Sequence, residues 1–220
     1  MSELPLPAAS RPLGDSGLSI SPLAWGMWRL AEDGRTATDA ARLVHAALDA
    51  GITLLDTADI YGFDGTGGFG DAEALLGVSN FTIHQIAALQ HFLDHKLVAT
   101  QPEISPLRIT CFENGELDQA MTMGLVPLAW SPLGGGRLAA PADERAHAVA
   151  AALDTVAKAQ GVSRTVAAFA WLMAHPAGIV PIVGSQQADR IREAAQAAHV
   201  RWTREEWYAV LVAARGERLP

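Results

Sequence analysis

One cysteine, Cys111, stands in a chain of 220 residues, so no internal disulfide can form and a reducing compartment is the natural reading. Tyrosine is almost as scarce, with 2 copies, so a tyrosine beside carboxylates calls for an explanation. Charged residues are only 18% of the chain, and 24 acidic against 16 basic residues give a formal net charge of -8. No basic patch interrupts that balance, which argues against a nucleic-acid partner, since phosphates would be repelled. The longest apolar run, "TVAAFAWLMAHPAGIVPIV", is broken by His175, Pro176 and Pro181 before it could span a membrane. The opening "MSELPLPAASRPLG" has no basic region followed by an apolar core, so no signal peptide is predicted. These absences lead to the expectation of a cytoplasmic protein with no membrane association.

Half of the residues are hydrophobic, enough to bury one core, and a single domain over 1–220 is predicted. "RPLGDSGLSI" reads as a hairpin, with its turn at Gly14 to Gly17. A strand follows over Leu23 to Trp28, then a helix capped by Thr38, with Leu43, Val44, Ala47 and Leu48 on one face and Gly51 as its stop. "GITLLDTAD" is the next strand. Ile86, Leu89 and Leu93 share a helical face, and "KLVATQPEIS", "GLVPLAWSPLG" and "GIVPIVGS" are further strands. Helices are expected over 143–160, 164–174 and Asp189 to Ala198, and Thr203 with Glu206 forms a capping box for a last helix carrying Trp207, Val210 and Leu211. Strands and helices alternate, and several strands are apolar on both faces, so the expected fold is α/β with a parallel sheet covered by helices. Polar and glycine-rich residues gather just after the strands, and a barrel opens all of its strand ends on one mouth.

The stretch "LLDTADIYG" places Asp56, Asp59 and Tyr61 at such an end. A strand-end cap with a tyrosine packed at the rim would account for it. So would a carboxylate holding a phenol that donates a proton to a carbonyl. The other strand ends bear on that choice: "VSNF" at 78–81, "TQPEIS" at 100–105, "LAWSPLGGG" at 128–136 and "VGSQQADRIREA" at 183–194 follow in order. This series, with the opening "RPLGDSGLSISPLAWGMWRL", resembles the aldo-keto reductase family over nearly the whole chain. The resemblance implies a (β/α)8 barrel of TIM type with an N-terminal β-hairpin, binding NADPH and reducing a small aldehyde or ketone.

By motif, the resemblance makes Tyr61 the general acid and Asp56 the carboxylate of its catalytic group, and leaves Asp59 to shape the turn. Ser79, Asn80 and Gln101 match the side chains that hydrogen-bond the nicotinamide carboxamide, and Trp130 the aromatic that stacks on the ring, although core packing would also place a tryptophan there. Ser131, Leu133, Gly134, Gly135 and Gly136 match the pyrophosphate loop, where small residues let backbone N–H groups approach phosphates. Gly184, Ser185 and Arg190 match the group that holds the adenosine 2′-phosphate, a role suited to a guanidinium. The family's usual basic residue before that serine is Gly184 here, which weakens the preference for NADPH over NADH. Gln187 and Glu193 fall near the adenine. Trp28, with Met27, falls on the substrate wall, and Trp25 and Trp28 read equally well as core.

The family also places a lysine and a histidine at the ends of its third and fourth strands. Here "DAEALLG" runs into "VSNF" at Gly77 and Val78 with no room for either strand. The expectation is a shortened barrel of five to six strands that has lost an internal block near 77–78. Lys96 falls at the wrong end of its strand to substitute, and His84, His91 and His95 fall on a solvated helix. A barrel so shortened has two strands without neighbours, and self-association is one remedy.

Overall fold

The computed structural model describes residues 2–27, 36–56, 78–93 and 96–218, the side chains of residues 37, 78 and 79 aside. β1 (Arg11–Pro12) and β2 (Ser19–Ile20) form an antiparallel hairpin with Arg11 opposite Ile20. The other strands are β3 (Ala24–Gly26), β4 (Leu54–Asp56), β5 (Val78–Ser79), β6 (Ala99–Gln101), β7 (Val126–Ala129) and β8 (Val180–Val183). They make one 6-stranded sheet in the order β4-β3-β8-β7-β6-β5, and every adjacent pair is parallel. Among the described residues no ladder joins β4 to β5, so these two strands are the edges.

Side chains along a strand alternate between faces, and the two faces here have different partners. Ala24, Ala99, Val126, Val180 and Ile182 share a small core with Leu13 and Ile20 of the hairpin, and Leu54, Leu128 and Trp130 pack against it. This is the concave interior, floored by the hairpin. Trp25, Ala129 and Val183 point the other way into the larger core shared with the helices. Extending the interior set by two residues along each strand leads from Ala24 to Gly26, from Leu54 to Asp56, from Ala99 to Gln101 and from Leu128 to Trp130. The apolar floor thus gives way to polar groups at the C-terminal strand ends, as a barrel-type sheet requires.

Among the described residues seven helices cover the outer face: α1 (Ala37–Asp49), α2 (Ile83–Phe92), α3 (Glu116–Met123), α4 (Glu144–Gln160), α5 (Arg164–Met173), α6 (Ala188–Ala195) and α7 (Arg204–Arg215). None of the described helices is long and apolar enough to cross a membrane. α1 starts at Thr36, not Thr38: the Thr36 hydroxyl accepts from Asp39 N–H at 3.2 Å and the Asp39 carboxylate accepts from Thr36 N–H at 3.1 Å. Thr38 lacks such a partner three residues on, where Ala41 stands. Among the described residues the first strand pairs over Ala24–Gly26 and the second over Leu54–Asp56. The helix expected to reach Ala198 ends at Ala195 and tightens into a 3-10 turn over Gln196–His199. α3 has no counterpart in the sequence reading. It is bounded by Gly115 and Gly124, both left-handed, and buries only Leu117 and Ala120.

α5 carries the centre of the outer core, with Phe169, Trp171 and Leu172 almost fully buried. Trp171 and Trp207 stack at 5.0 Å, and each indole N–H donates to the other residue's carbonyl, at 3.0 and 2.9 Å. Such an aromatic pair contributes about 0.5–1.5 kcal/mol beyond its area burial. Arg164 grips Asp154 with two parallel bonds of 2.7 and 2.6 Å and also donates to Leu138 O, which fixes the α4 to α5 corner.

Candidate functional site

The interior residues at the C-terminal strand ends meet one another directly. Asp56, at the end of β4, is level with Gly26 on β3. A Cβ on Gly26 would lie 2.8 Å from Ile182 Cγ2 and 3.6 Å from Asp56 Oδ2, so the missing side chain is what lets Ile182 and the carboxylate share this part of the interior. From the far side, Gln101 Nε2 donates to Asp56 Oδ1 at 2.9 Å. Both residues are half-buried. A carboxylate drawn into a sheet interior loses water, and a donated amide N–H offsets part of that loss.

The network continues through the next strand ends. Asn80 follows β5 with a left-handed φ of 57, and its N–H donates to the Gln101 carbonyl at 3.2 Å. Trp130 then donates from its indole nitrogen to Asn80 Oδ1 at 2.9 Å, so the indole plane is fixed by a side chain two strands away in the sheet. Ser79 pairs with Gln101 in the β5–β6 ladder. After Trp130 the chain turns at Ser131, also left-handed (φ 51), and Gly134, Gly135 and Gly136 have φ of 62, 66 and 89. Glycine is required at Gly135 and Gly136 by these angles and not by crowding, since a Cβ on either would meet nothing. The Gly134 N–H is taken by Ser131 O at 2.8 Å and the Gly135 N–H by the Ser131 hydroxyl at 2.9 Å. Leu133 packs against the outer core and anchors the loop.

Beyond β8, Gly184 is exposed with open space where a Cβ would be. Ser185 O accepts from the Trp25 indole at 2.9 Å, which settles Trp25 as a fully buried core residue that also ties down this loop. Gln187 starts α6 without a side-chain cap, Arg190 is exposed in the first turn of that helix, and Glu193 is half-buried one turn on. Among the described residues Arg190 forms no ion pair, whereas its neighbour Arg192 pairs with Asp189 at 3.0 Å. Met27 packs against the outer core, not the interior, and its N–H donates to Asp56 O. Tyr61, Trp28, Asp59, His95 and the Gly77 junction lie outside the described residues.

Sequence reasoning missed Gln186. Its amide N–H donates to Gly26 O at 2.9 Å, binding the β8 loop to the end of β3, and its Oε1 is buried without a partner. No periodicity or motif singles this residue out. Lys96 pairs with Asp15 of the hairpin turn at 2.6 Å, and His84 and His91 are exposed on α2. Cys111 is buried and hydrogen-bonded to Glu116, and burial pushes its thiol well above the usual range, so it is no nucleophile. A polar cavity of about 270 Å³ lined by Arg108, Arg145 and Arg215 lies apart, and Arg215 is already paired with Glu113 and Glu217.

Comparison with known proteins adds an independent line. The model of the aldo/keto reductase family matches residues 22–77 and 70–211. A 6-dehydroglucose reductase of Novosphingobium aromaticivorans is 56% identical over 304 aligned positions that cover 100% of both chains. With 220 residues here, 84 of those 304 positions have no residue of this chain opposite them. A 6-dehydroglucose reductase of Agrobacterium fabrum is 40% identical over 144 residues, and the oxidoreductase YdhF of Escherichia coli 37% identical over 149. Each of these two alignments covers 66% of this chain and 48% of the relative. Among solved structures, a thermostable aldo-keto reductase, Tm1743, in complex with the inhibitor epalrestat superposes with a TM-score of 0.75 at 18% identity, over 93% of this chain and 99% of that one, which supports the barrel-type fold.

Proposed function

The chain belongs to the aldo/keto reductase family, and from that premise we propose that it binds NADPH across the C-terminal strand ends and reduces the carbonyl of a polyhydroxylated aldehyde of the 6-dehydroglucose kind. The observation that supports this reading is the joined network of Asp56, Gln101, Asn80 and Trp130, a carboxylate, two amides and an indole bonded in series at the strand ends. The loop after β7 suits a dinucleotide: Gly135 and Gly136 leave open space beside the backbone, and Arg190 is exposed on the neighbouring helix without an ion pair among the described residues.

The reduced nicotinamide would supply the hydride when bound. The protein's part is binding, orientation and the proton. Trp130, its ring fixed by Asn80, offers a flat face for stacking, and Arg190 offers paired donors to a 2′-phosphate. Asp56 orders the polar end of the interior, and Tyr61 donates the proton to the carbonyl oxygen. A free tyrosine has a pKa of about 10, and the sequence holds no lysine between Tyr61 and Ser79 to supply the ammonium that eases its ionisation in the family. General acid-base assistance is worth roughly a hundredfold to ten-thousandfold, so turnover well below that of a complete family member is expected.

The lack of both the lysine and the histidine favours a second reading, a nucleotide-binding protein without turnover. Loss of NADPH absorbance on adding 6-dehydroglucose or an aromatic aldehyde, beside a Tyr61→Phe control, tests the two. Consumption abolished in the control supports the reductase. NADPH binding without consumption supports the second reading, and no binding refutes both. We further propose that the absent block was lost near 77–78, beside the 70–77 stretch where the two family matches overlap, and that the protein acts in the cytoplasm. The edges at β4 and β5 support self-association, which light scattering would detect as a mass above the 23.2 kDa of one chain.

A further inference from the structure

Gln101 lies on β6 and Asp56 on β4, with β3, β8 and β7 between them in the sheet. Their side chains nevertheless meet at 2.9 Å, so this bond does not run along the sheet but crosses its concave interior as a chord. Its position matters because β4 is an edge strand among the described residues. β4 is paired to β3, and the chord is a second tie from its C-terminal end to the far half of the sheet. The same residue also serves the opposite edge, because its backbone carbonyl accepts the Asn80 N–H just beyond β5, and Asn80 in turn holds Trp130.

We propose that Gln101 is a positioning residue of the Asp56 carboxylate, and that it directs its N–H to Asp56 and not to a nicotinamide carboxamide. The inference rests on the reductase reading only for the nucleotide's part in it. An amide orients a carboxylate as an ammonium does, through a donated hydrogen bond, but it carries no charge and does not titrate. The bond therefore fixes the carboxylate without adding a charge of its own to the interior.

The donor and acceptor of this pair can be exchanged without changing its shape. Gln101→Glu sets two carboxylates against each other, and at pH 8 the melting temperature should fall by about 4–8 °C. At pH 5 the fall should shrink, because two facing carboxyl groups can share a proton. Adding Asp56→Asn to Gln101→Glu restores one donor and one acceptor, now reversed, and should recover most of the loss at pH 8. Losses that simply add in the double variant would overturn the pairing. NADPH is then titrated into the same four proteins by tryptophan fluorescence. Affinity recovered together with melting supports the assignment, whereas affinity that stays lost while melting recovers returns Gln101 to the carboxamide and overturns it. Absence of NADPH binding in all four, the unmodified chain included, refutes the nucleotide reading and leaves the melting cycle to decide this one.

Discussion

Gly26→Ala is the most direct probe of how tightly the interior is built. The added Cβ would lie 2.8 Å from Ile182 Cγ2, against an optimum of about 3.5–4.0 Å for carbon pairs, while its 3.6 Å approach to Asp56 Oδ2 is ordinary contact. The clash is with a stiff group: Cγ2 is bonded to the Cβ of a β-branched residue that is only 6% exposed, so it cannot yield without a change of rotamer or a shift of β8. Overpacking of this kind costs about 1–3 kcal/mol. At about 2–4 °C per kcal/mol for a chain of this size, the melting temperature should drop by roughly 2–12 °C. Urea midpoints on Gly26→Ala, Ile182→Ala and the pair complete the test. Ile182→Ala alone opens a cavity worth about 2–5 kcal/mol, and in the pair the new methyl refills part of it, so the two losses should fall short of additivity by about 0.5–3 kcal/mol. Strict additivity would show that the two side chains do not share this space, and would withdraw the account of why residue 26 is glycine.

Three further outcomes are expected. The Arg164 guanidinium holds the Asp154 carboxyl below its usual range, so the pair's contribution is full above the unfolded pKa and fades as pH falls through the folded one; the gap in melting temperature between the unmodified chain and Asp154→Asn should be full above about pH 5 and shrink steadily below pH 4. Arg190→Ala should weaken NADPH binding by about 1.5–3 kcal/mol and leave NADH almost unchanged, and equal losses in a fluorescence titration would take the 2′-phosphate away from Arg190. Trp130→Ala should remove most of the tryptophan quenching that NADPH causes, and quenching that persists in the variant would assign it to another indole.

What the sequence reveals here is mostly what is decided within a few residues. The Thr203 and Glu206 box is legible because a cap and its partner are three positions apart, and the hairpin at Gly14 to Gly17 because its turn is local. The same box at Thr36 and Asp39 is present in the letters, but hydrophobic periodicity points to Thr38, since periodicity locates a face and not a first turn. α3 is hidden because its buried face is two residues wide. At the site, the order of strand-end motifs reveals which residues share the mouth, but not their bonds to one another. The Asp56–Gln101 bond depends on how strongly the sheet curls, and the Gln186 contact to Gly26 joins residues 160 positions apart. Gln101 is thus read as a cofactor ligand from its motif, and its partner emerges only when the sheet is closed around it.

The strand order also constrains the course of folding. β6, β7 and β8 follow one another along the chain and lie side by side, so the C-terminal part can assemble its half of the sheet from neighbours in sequence. β3 can pair with β4 early, but its other ladder partner is β8, whose Ile182 and Val183 leave the ribosome long after Ala24 and Trp25. Closing so large a loop is slow, and until it closes the edge of β3 and the apolar face of Trp25 wait without a partner. Synthesis of this chain therefore produces its most aggregation-prone segment first and its remedy near the end, so the yield of folded protein should respond to chaperone supply and growth temperature more sharply than the final packing alone would suggest.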